Sequence, residues 1–450
     1  MDAETRGTQM TTGPNLDPPR VEVWGGAEYT CNRVGDRYFD QMEFSGHVQR
    51  ISDYAIFADL GIKTLRFGLL WERHQLDPSW RWADERLQWM RTAGVRPIVS
   101  LMHHGSGPPH TNLLDPQFPE KLAAYAVSVA QRYPWIDGYT PVNEPHTTAR
   151  FSAMYGIWYP HHRSTHSYLR ALINQLKGTV LSMEAIRNVH PGAELIQTDD
   201  VGTIRGTEQL RPVWEQLNLR KWLPYDLLLG RVDSRHPMFT YMRAQGISEK
   251  EIVWFLDHPC TPNVIGINYY VTSDRFLDHR IEMYPPGRIS SEGCFVDVEA
   301  VRVGRQAIAG FDTLLMDAWM RYKIPVAITE VHLGGDVEEQ IRWLVTAWDG
   351  LLRARQGGAN CIALTVWALL GSFYWDQLVT CENGHYEPGT FDMRSGTPAL
   401  TELASVVAQL AGGKPPSHAA LSHRGWWQQD SRICFPHVRE DLEAGCLKSF

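Results

Sequence analysis

Apolar residues along this chain gather in eight short runs, separated by longer stretches in which they recur at helical spacing. The runs cover residues 21–27, 64–70, 96–102, 137–142, 194–198, 264–270, 326–329 and 361–367. Several are continuous rather than alternating, as parallel strands buried on both faces require. Between them the spacing predicts helices over 47–60, 83–93, 119–132, 167–189, 303–321 and 337–355. Gly61, Gly94 and Gly357 read as C-terminal caps, and Pro97 and Pro325 open strands where a missing N–H is tolerated. Eight β-then-α units in order predict one (β/α)8 TIM barrel with elaborated βα loops. No phosphate-cradling glycine fingerprint follows the first strand to favour an open nucleotide-binding sheet.

Residues 1–20 are polar and carry Pro14, Pro18 and Pro19, so a flexible lead-in is expected before a barrel spanning 21–411. The longest insertion, 202–262, falls between the fifth and sixth strands, with helical patterns at 217–229 and 248–256, and is expected to wall the cleft. After a last helix near 398–410, residues 412–450 read as an extended tail or linker.

Composition narrows the function classes. Hydrophobic residues make up 43% and charged residues 21%, enough for a large core. The net charge of −8 argues against nucleic acid or an anionic membrane as partner, and no apolar run approaches the ~20 residues of a membrane helix. Seven cysteines with no C-x-x-C pair fit reduced thiols in a soluble, cytoplasmic protein better than disulfides or zinc. Seventeen Trp and seventeen Tyr crowd segments such as 155–159 and 373–375; they suit stacking on sugar rings, although large cores also bury aromatics.

Barrel enzymes carry their chemistry at the C-terminal ends of the strands. The fourth strand ends Thr140-Pro141-Val142-Asn143-Glu144-Pro145 and the seventh Ala327-Ile328-Thr329-Glu330-Val331-His332. Two carboxyl groups facing each other across a sugar are what retaining glycoside cleavage needs, one to protonate the leaving oxygen and one to attack the anomeric carbon. Glu144 is the expected acid/base and Glu330 the nucleophile, whose charge raises the pKa of its partner. Asn143 is placed to meet the sugar 2-hydroxyl.

The chain resembles glycoside hydrolase family 1, the β-glucosidase and β-galactosidase family of the clan A barrels. Asn143-Glu144-Pro145 matches its acid/base motif and Ile328-Thr329-Glu330 its nucleophile motif. Arg66-Phe67-Gly68-Leu69-Leu70-Trp71-Glu72-Arg73 resembles its second-strand pattern, and Gly266-Ile267-Asn268-Tyr269-Tyr270 its sixth. The resemblance implies that Arg66 and Tyr270 hold the nucleophile and that His103, Asn32, Asn268, Trp367 and Trp375 contact the sugar. It implies a small glycoside or oligosaccharide as substrate, and no cofactor or metal.

The eighth-strand segment departs from the family pattern Trp-Ser-Leu-Leu-Asp-Asn-Phe-Glu-Trp. Here it reads Trp367-Ala368-Leu369-Leu370-Gly371-Ser372-Phe373-Tyr374-Trp375, so Tyr374 replaces the glutamate that grips the outer hydroxyls. Asn32 replaces a glutamine, and His104 a tryptophan. A rebuilt glycone pocket is expected, with ordinary glucosides as poor substrates. Transfer to another sugar with the same two glutamates remains open. So does a non-catalytic sugar-binding barrel, which would need neither glutamate. A metal-dependent hydrolase is disfavoured, because the neighbours His103-His104 and His161-His162 would point to opposite faces of a strand.

Overall fold

The computed structural model describes residues 20–290, 295–304 and 308–436. All eight expected runs are strands: β1 (Glu22–Gly26), β2 (Thr64–Gly68), β3 (Arg96–His103), β4 (Gly138–Asn143), β5 (Glu194–Asp200), β6 (Val264–Asn268), β7 (Val326–Val331) and β8 (Cys361–Val366). They pair in parallel, each with its neighbours in sequence, and β8 returns to β1 at Glu22↔Ala363 to close the barrel. Trp24, Ile98, Ile196, Val264, Ala327 and Ala363 form a cluster contributed by six of the strands. A larger apolar layer joins the strands to the surrounding helices. At Gly26 a Cβ would lie 2.5 Å from the Trp367 ring, so glycine is what lets that indole lie over the end of β1.

Around the barrel run α1 (Asp53–Asp59), α2 (Arg81–Ala93), α3 (Phe118–Arg132), α4 (Thr165–Val189), α5 (Arg211–Arg220), α6 (Leu223–Leu228), α7 (Glu249–Asp257), α8 (Phe311–Tyr322), α9 (Val337–Gln356) and α10 (Leu403–Ala411). The N-termini of α7 and α9 are capped by Ser248 and Asp336, each accepting from the backbone N–H of the third helical residue, worth about 1 kcal/mol apiece.

Four helix boundaries differ from the sequence reading, and side-chain bonding or chain geometry explains them. The helix expected over 47–60 starts only at Asp53, whose carboxylate takes contacts from His47 (2.8 Å) and Arg50 (3.0 Å) and ties the preceding turns to itself. The stretch 217–229 is split between α5 and α6, where Pro224 has no N–H to continue the first helix. The helix expected over 303–321 begins at Phe311, after Gly310 at φ 84. The last helix begins at Leu403, because Ala399–Leu400 pairs with Phe391–Asp392 instead. Gly357 lies at φ −74; the left-handed residue is its neighbour Gly358, at φ 92.

The insertion after β5 contributes a strand, Ile204–Gly206, to a three-stranded sheet with Arg275–Asp278 and Val296–Glu299. From Gly412 to Pro436 the chain makes three short 3-10 turns. This segment lies against α9: Arg342 donates to the Ala420 carbonyl, Trp427 packs edge-on against Trp343, and Glu339 accepts from the Trp426 N–H. Of the expected lead-in only Arg20 is among the described residues; it donates to the Ala411 carbonyl. No helix among the described residues is long and apolar enough to cross a membrane.

Candidate active site

The C-terminal ends of the strands converge on a cavity of about 400 Å³ lined by Glu144, Glu330, His104, Tyr270, Trp367 and Trp375, among others. Glu330 is reached through a register shift in β7 between Ile328 and Glu330, which sets it opposite Asn268 of β6. Glu144 follows β4 in the left-handed region, at φ 47, a conformation that costs a non-glycine residue roughly 1–3 kcal/mol. His104 after β3 (φ 57) and Ala368 after β8 (φ 52) share it. Three such strand ends around one cavity mark it as a place where geometry outweighs local stability.

The two glutamates are held differently. One oxygen of Glu330 accepts from Arg66 Nη1 at 2.7 Å and the other from the Tyr270 hydroxyl. The guanidinium is itself fixed: Nη2 donates to Asn143 Oδ1 (2.6 Å), Nη1 also to the Thr329 carbonyl (3.0 Å), and Trp367 lies 4.6 Å across its face. Glu144 has no Lys or Arg paired with it among the described residues; Asn268 Nδ2 donates to its Oε1 at 2.7 Å, and His104 Nε2 is 3.7 Å from its Oε2. His104 is neutral, its pKa pushed down to about 3 by burial and then by Arg66.

These surroundings separate the carboxyl groups electrostatically. Burial pushes Glu144 well above the usual carboxylate range, and the charges of Glu330, Asp200 and Asp199 push it further, against the Asn268 bond. Burial also raises Glu330, to about 7, with Arg66 pulling it down, Glu28 pushing it up and the Tyr270 hydroxyl pulling it down. A guanidinium and a phenol on one carboxylate, and neither on the other, favour the ionised form of Glu330 over that of Glu144.

Other expected residues fall behind the cavity or away from it. Asn143 is fully buried; its Oδ1 serves Arg66 and Thr198, and its Nδ2 meets His103 Nε2 at 3.1 Å, leaving one amide N–H over. His103 stacks on Trp367 at 5.2 Å and 11°. Asn268 is spent on Glu144 and Thr329, so it orients the acid rather than lining the cavity. Asn32 is a correction: it lies on the hairpin after β1, fully buried, donating to the Val379 carbonyl. Tyr374 is another, its ring packed edge-on against Phe44 at 5.1 Å and away from the cavity. Its backbone, at φ 63, starts the turn that sends Trp375 inward instead. His161 bonds the backbone at Gly35 and Gly156.

The cavity is lined instead by residues the sequence reading missed. Glu28, two residues past β1, lines the cavity and accepts from Trp367 Nε1 at 3.1 Å. Glu387 enters from a hairpin whose register pairs it with Ser372, with His332 Nε2 at 3.5 Å. Trp426 of the C-terminal segment closes one side. Glu28 was within reach, since it stands just beyond a strand end, where barrel chemistry is expected. Nothing local marks Glu387 or Trp426.

A search with family models finds none that matches the chain. Among solved structures it is similar to the β-glucosidase of Thermotoga maritima. Against the complex of that enzyme with glucoimidazole the TM-score is 0.71 at 15% identity, over 89% of this chain and 99% of the other. Against the complex with deoxynojirimycin it is 0.71 at 15%, over 88% and 98%. The fold is that of the family 1 β-glucosidases. In sequence, the chain is 23% identical to β-glucosidase 47 of Arabidopsis thaliana over 449 aligned positions, 88% of this chain and 80% of the plant protein. At these identities the likeness to the family 1 structures speaks for architecture; the chemistry has to be argued from the cavity.

Proposed function

We propose that this protein is a retaining β-glycosidase acting by double displacement. The observation that carries the proposal is the asymmetric pair: a buried carboxylate held by Arg66 and Tyr270, and a buried carboxylic acid held by Asn268, in one cavity. Glu144 gives its proton to the glycosidic oxygen as the Glu330 carboxylate attacks the anomeric carbon, and the leaving group departs as a neutral alcohol. The bond to the sugar is then an ester of Glu330. Glu144, now a carboxylate, takes a proton from water as the water oxygen attacks the anomeric carbon and Glu330 leaves. Trp367 and Trp375 line the cavity as walls for the sugar ring. Glu28 and Glu387 offer carboxylate oxygens to its outer hydroxyls, in the role for which Asn32 and Tyr374 are misplaced. Asn143, buried behind the cavity, acts through its bond to Arg66.

A second reading, glycosyl transfer, uses the same first step. It draws support from a further chamber beside the cavity, large enough for an acceptor. The free thiols Cys31, Cys260, Cys361, Cys381 and Cys434 support a reducing, cytoplasmic setting. The test is a panel of aryl β-glycosides (glucoside, galactoside, fucoside, mannoside, xyloside, glucuronide) with wild type and Glu330→Gln. Release from one glycoside, lost in the variant, supports the proposal. A folded wild type silent on all of them, with and without sugar acceptors, refutes it.

A further inference from the structure

Beside the cavity, on the side of Glu144, lies a second chamber of about 780 Å³. The two share Phe151, Asp200, Thr272, Trp375, Asp376 and Leu378 as walls, so they adjoin. An acid that protonates the glycosidic oxygen faces the leaving group, so on the reading above this chamber receives the aglycone. Its lining is cationic for a chain of net charge −8: Arg150, Arg220, Lys221, Arg275 and Arg288 face Asp200, Asp297, Glu299 and Asp376.

The charges are unevenly satisfied. Arg275 is paired with Asp297 at 2.7 Å, and Arg288 with Glu299 at 3.3 Å, which accounts for the outer carboxylates. Arg150 and Lys221 have no ion pair among the described residues. Arg150 makes one hydrogen bond, to Thr147 Oγ1 at 3.2 Å, and its buried Nε has no partner among the described residues. Lys221 is 5% exposed and donates to the Gly202 carbonyl at 2.8 Å, an acceptor without charge. Asp200, another residue of the lining, already accepts from Ser273 Oγ at 2.5 Å. Burial raises its pKa, and the charge of Arg150 opposes that rise.

The backbone supports the same conclusion. Arg150 and Phe151 sit on a π-helical turn, Arg150–Met154, immediately after the Glu144 strand end and its short helix Pro145–Ala149. A wide turn of this kind is less stable than α-helix and recurs where a side chain must be aimed. Asp200 and Asp199 act on Arg150, and Asp317, Asp274 and Asp200 on Lys221, from beyond ion-pair distance, so a ligand anion in direct contact with either cation adds a pairing that the described residues do not make.

We propose that the leaving-group chamber binds an oxyanion, so that the preferred substrates are β-glycosides whose aglycone carries a carboxylate, sulfonate or phosphate, with Arg150 and Lys221 as its anchors. The inference rests on the glycosidase reading for the aglycone's role, but the binding itself is testable without turnover.

The protein is titrated calorimetrically with 4-hydroxybenzoate, 4-hydroxybenzenesulfonate and 4-hydroxyphenyl phosphate, beside the neutral isostere 4-hydroxybenzamide. Wild type is expected to favour at least one anion over the amide by about tenfold, the difference shrinking as salt is raised. The ranking of the three anions identifies the group. Arg150→Met and Lys221→Met each bring that ratio toward one, and Arg150→Lys keeps part of it. Equal or undetectable binding of anions and amide, or a preference that survives both methionine variants, overturns the inference. Aryl glycosides of the same four phenols separate the two claims. Turnover without anion preference sinks only the chamber assignment, and anion binding without turnover of any glycoside sinks only the glycosidase reading.

Discussion

Replacing Tyr270 with phenylalanine removes one hydroxyl and changes little else, because the ring stays and the lost bond runs to a single acceptor, Glu330. A hydrogen bond to a charged group is worth about 1.5–3 kcal/mol. The Tyr270 bond favours the ionised form of Glu330, so losing it raises the nucleophile's pKa from about 7 by roughly 1–2 units. The sign follows from the role. Glu330 attacks only as a carboxylate, so kcat/KM falls as pH drops through its pKa, and in Tyr270→Phe that fall begins at higher pH. The same loss leaves the carboxylate less well oriented, and kcat/KM on the plateau should drop about 10–100-fold. The assay is the pH profile of kcat/KM for the responsive aryl glycoside, which reports the free enzyme. An acid limb that stays in place, or moves to lower pH, while the variant remains folded would refute the account of how Glu330 is kept ionised.

Four further outcomes follow, two from the same network and two from the cavity lining. Glu28 pushes Glu330 upward, so Glu28→Gln should move the acid limb to lower pH, opposite to Tyr270→Phe. Asn268 pulls Glu144 down, so Asn268→Ala should carry the alkaline limb, where the acid loses its proton, to higher pH, with the acid limb less affected. Tyr374→Phe should leave kcat/KM within about twofold, since its ring lies away from the cavity. Glu387→Gln should lower kcat/KM by roughly tenfold or more, mainly for sugars with the full set of outer hydroxyls. Steady-state kinetics on deoxy-sugar analogues distinguishes the last two.

The barrel was legible because parallel strands buried on both faces leave continuous apolar runs, and eight of them in order leave few other folds. The meeting of Glu144, Glu330, Arg66 and Tyr270 around one cavity was legible because each lies on a barrel strand or just beyond its end, where sequence position fixes place in space. The far side of the cavity was not. Asn32 and Tyr374 were aligned by counting along loops, and loops do not conserve direction. The hairpin after β1 buries Asn32 against Val379, and the left-handed turn at Tyr374 sends its ring outward. Glu387 and Trp426 reach the cavity through contacts between segments far apart in the chain, which no local pattern encodes. The helix boundaries at Asp53 and Phe311 failed for a smaller reason, a side chain or a glycine competing with the helix over one or two turns.

The central claim is that Glu330 forms the bond to the sugar. A 2-deoxy-2-fluoro β-glycoside with a dinitrophenyl leaving group tests it, because the fluorine slows both steps while the leaving group spares the first, and the ester accumulates. Peptide mapping by mass spectrometry of the inactivated protein should place the fluoroglycosyl group on the peptide carrying Glu330, with none in Glu330→Gln. A label on Glu28, Glu144 or Glu387 in wild type, or turnover that proceeds unimpaired in Glu330→Gln, would contradict it.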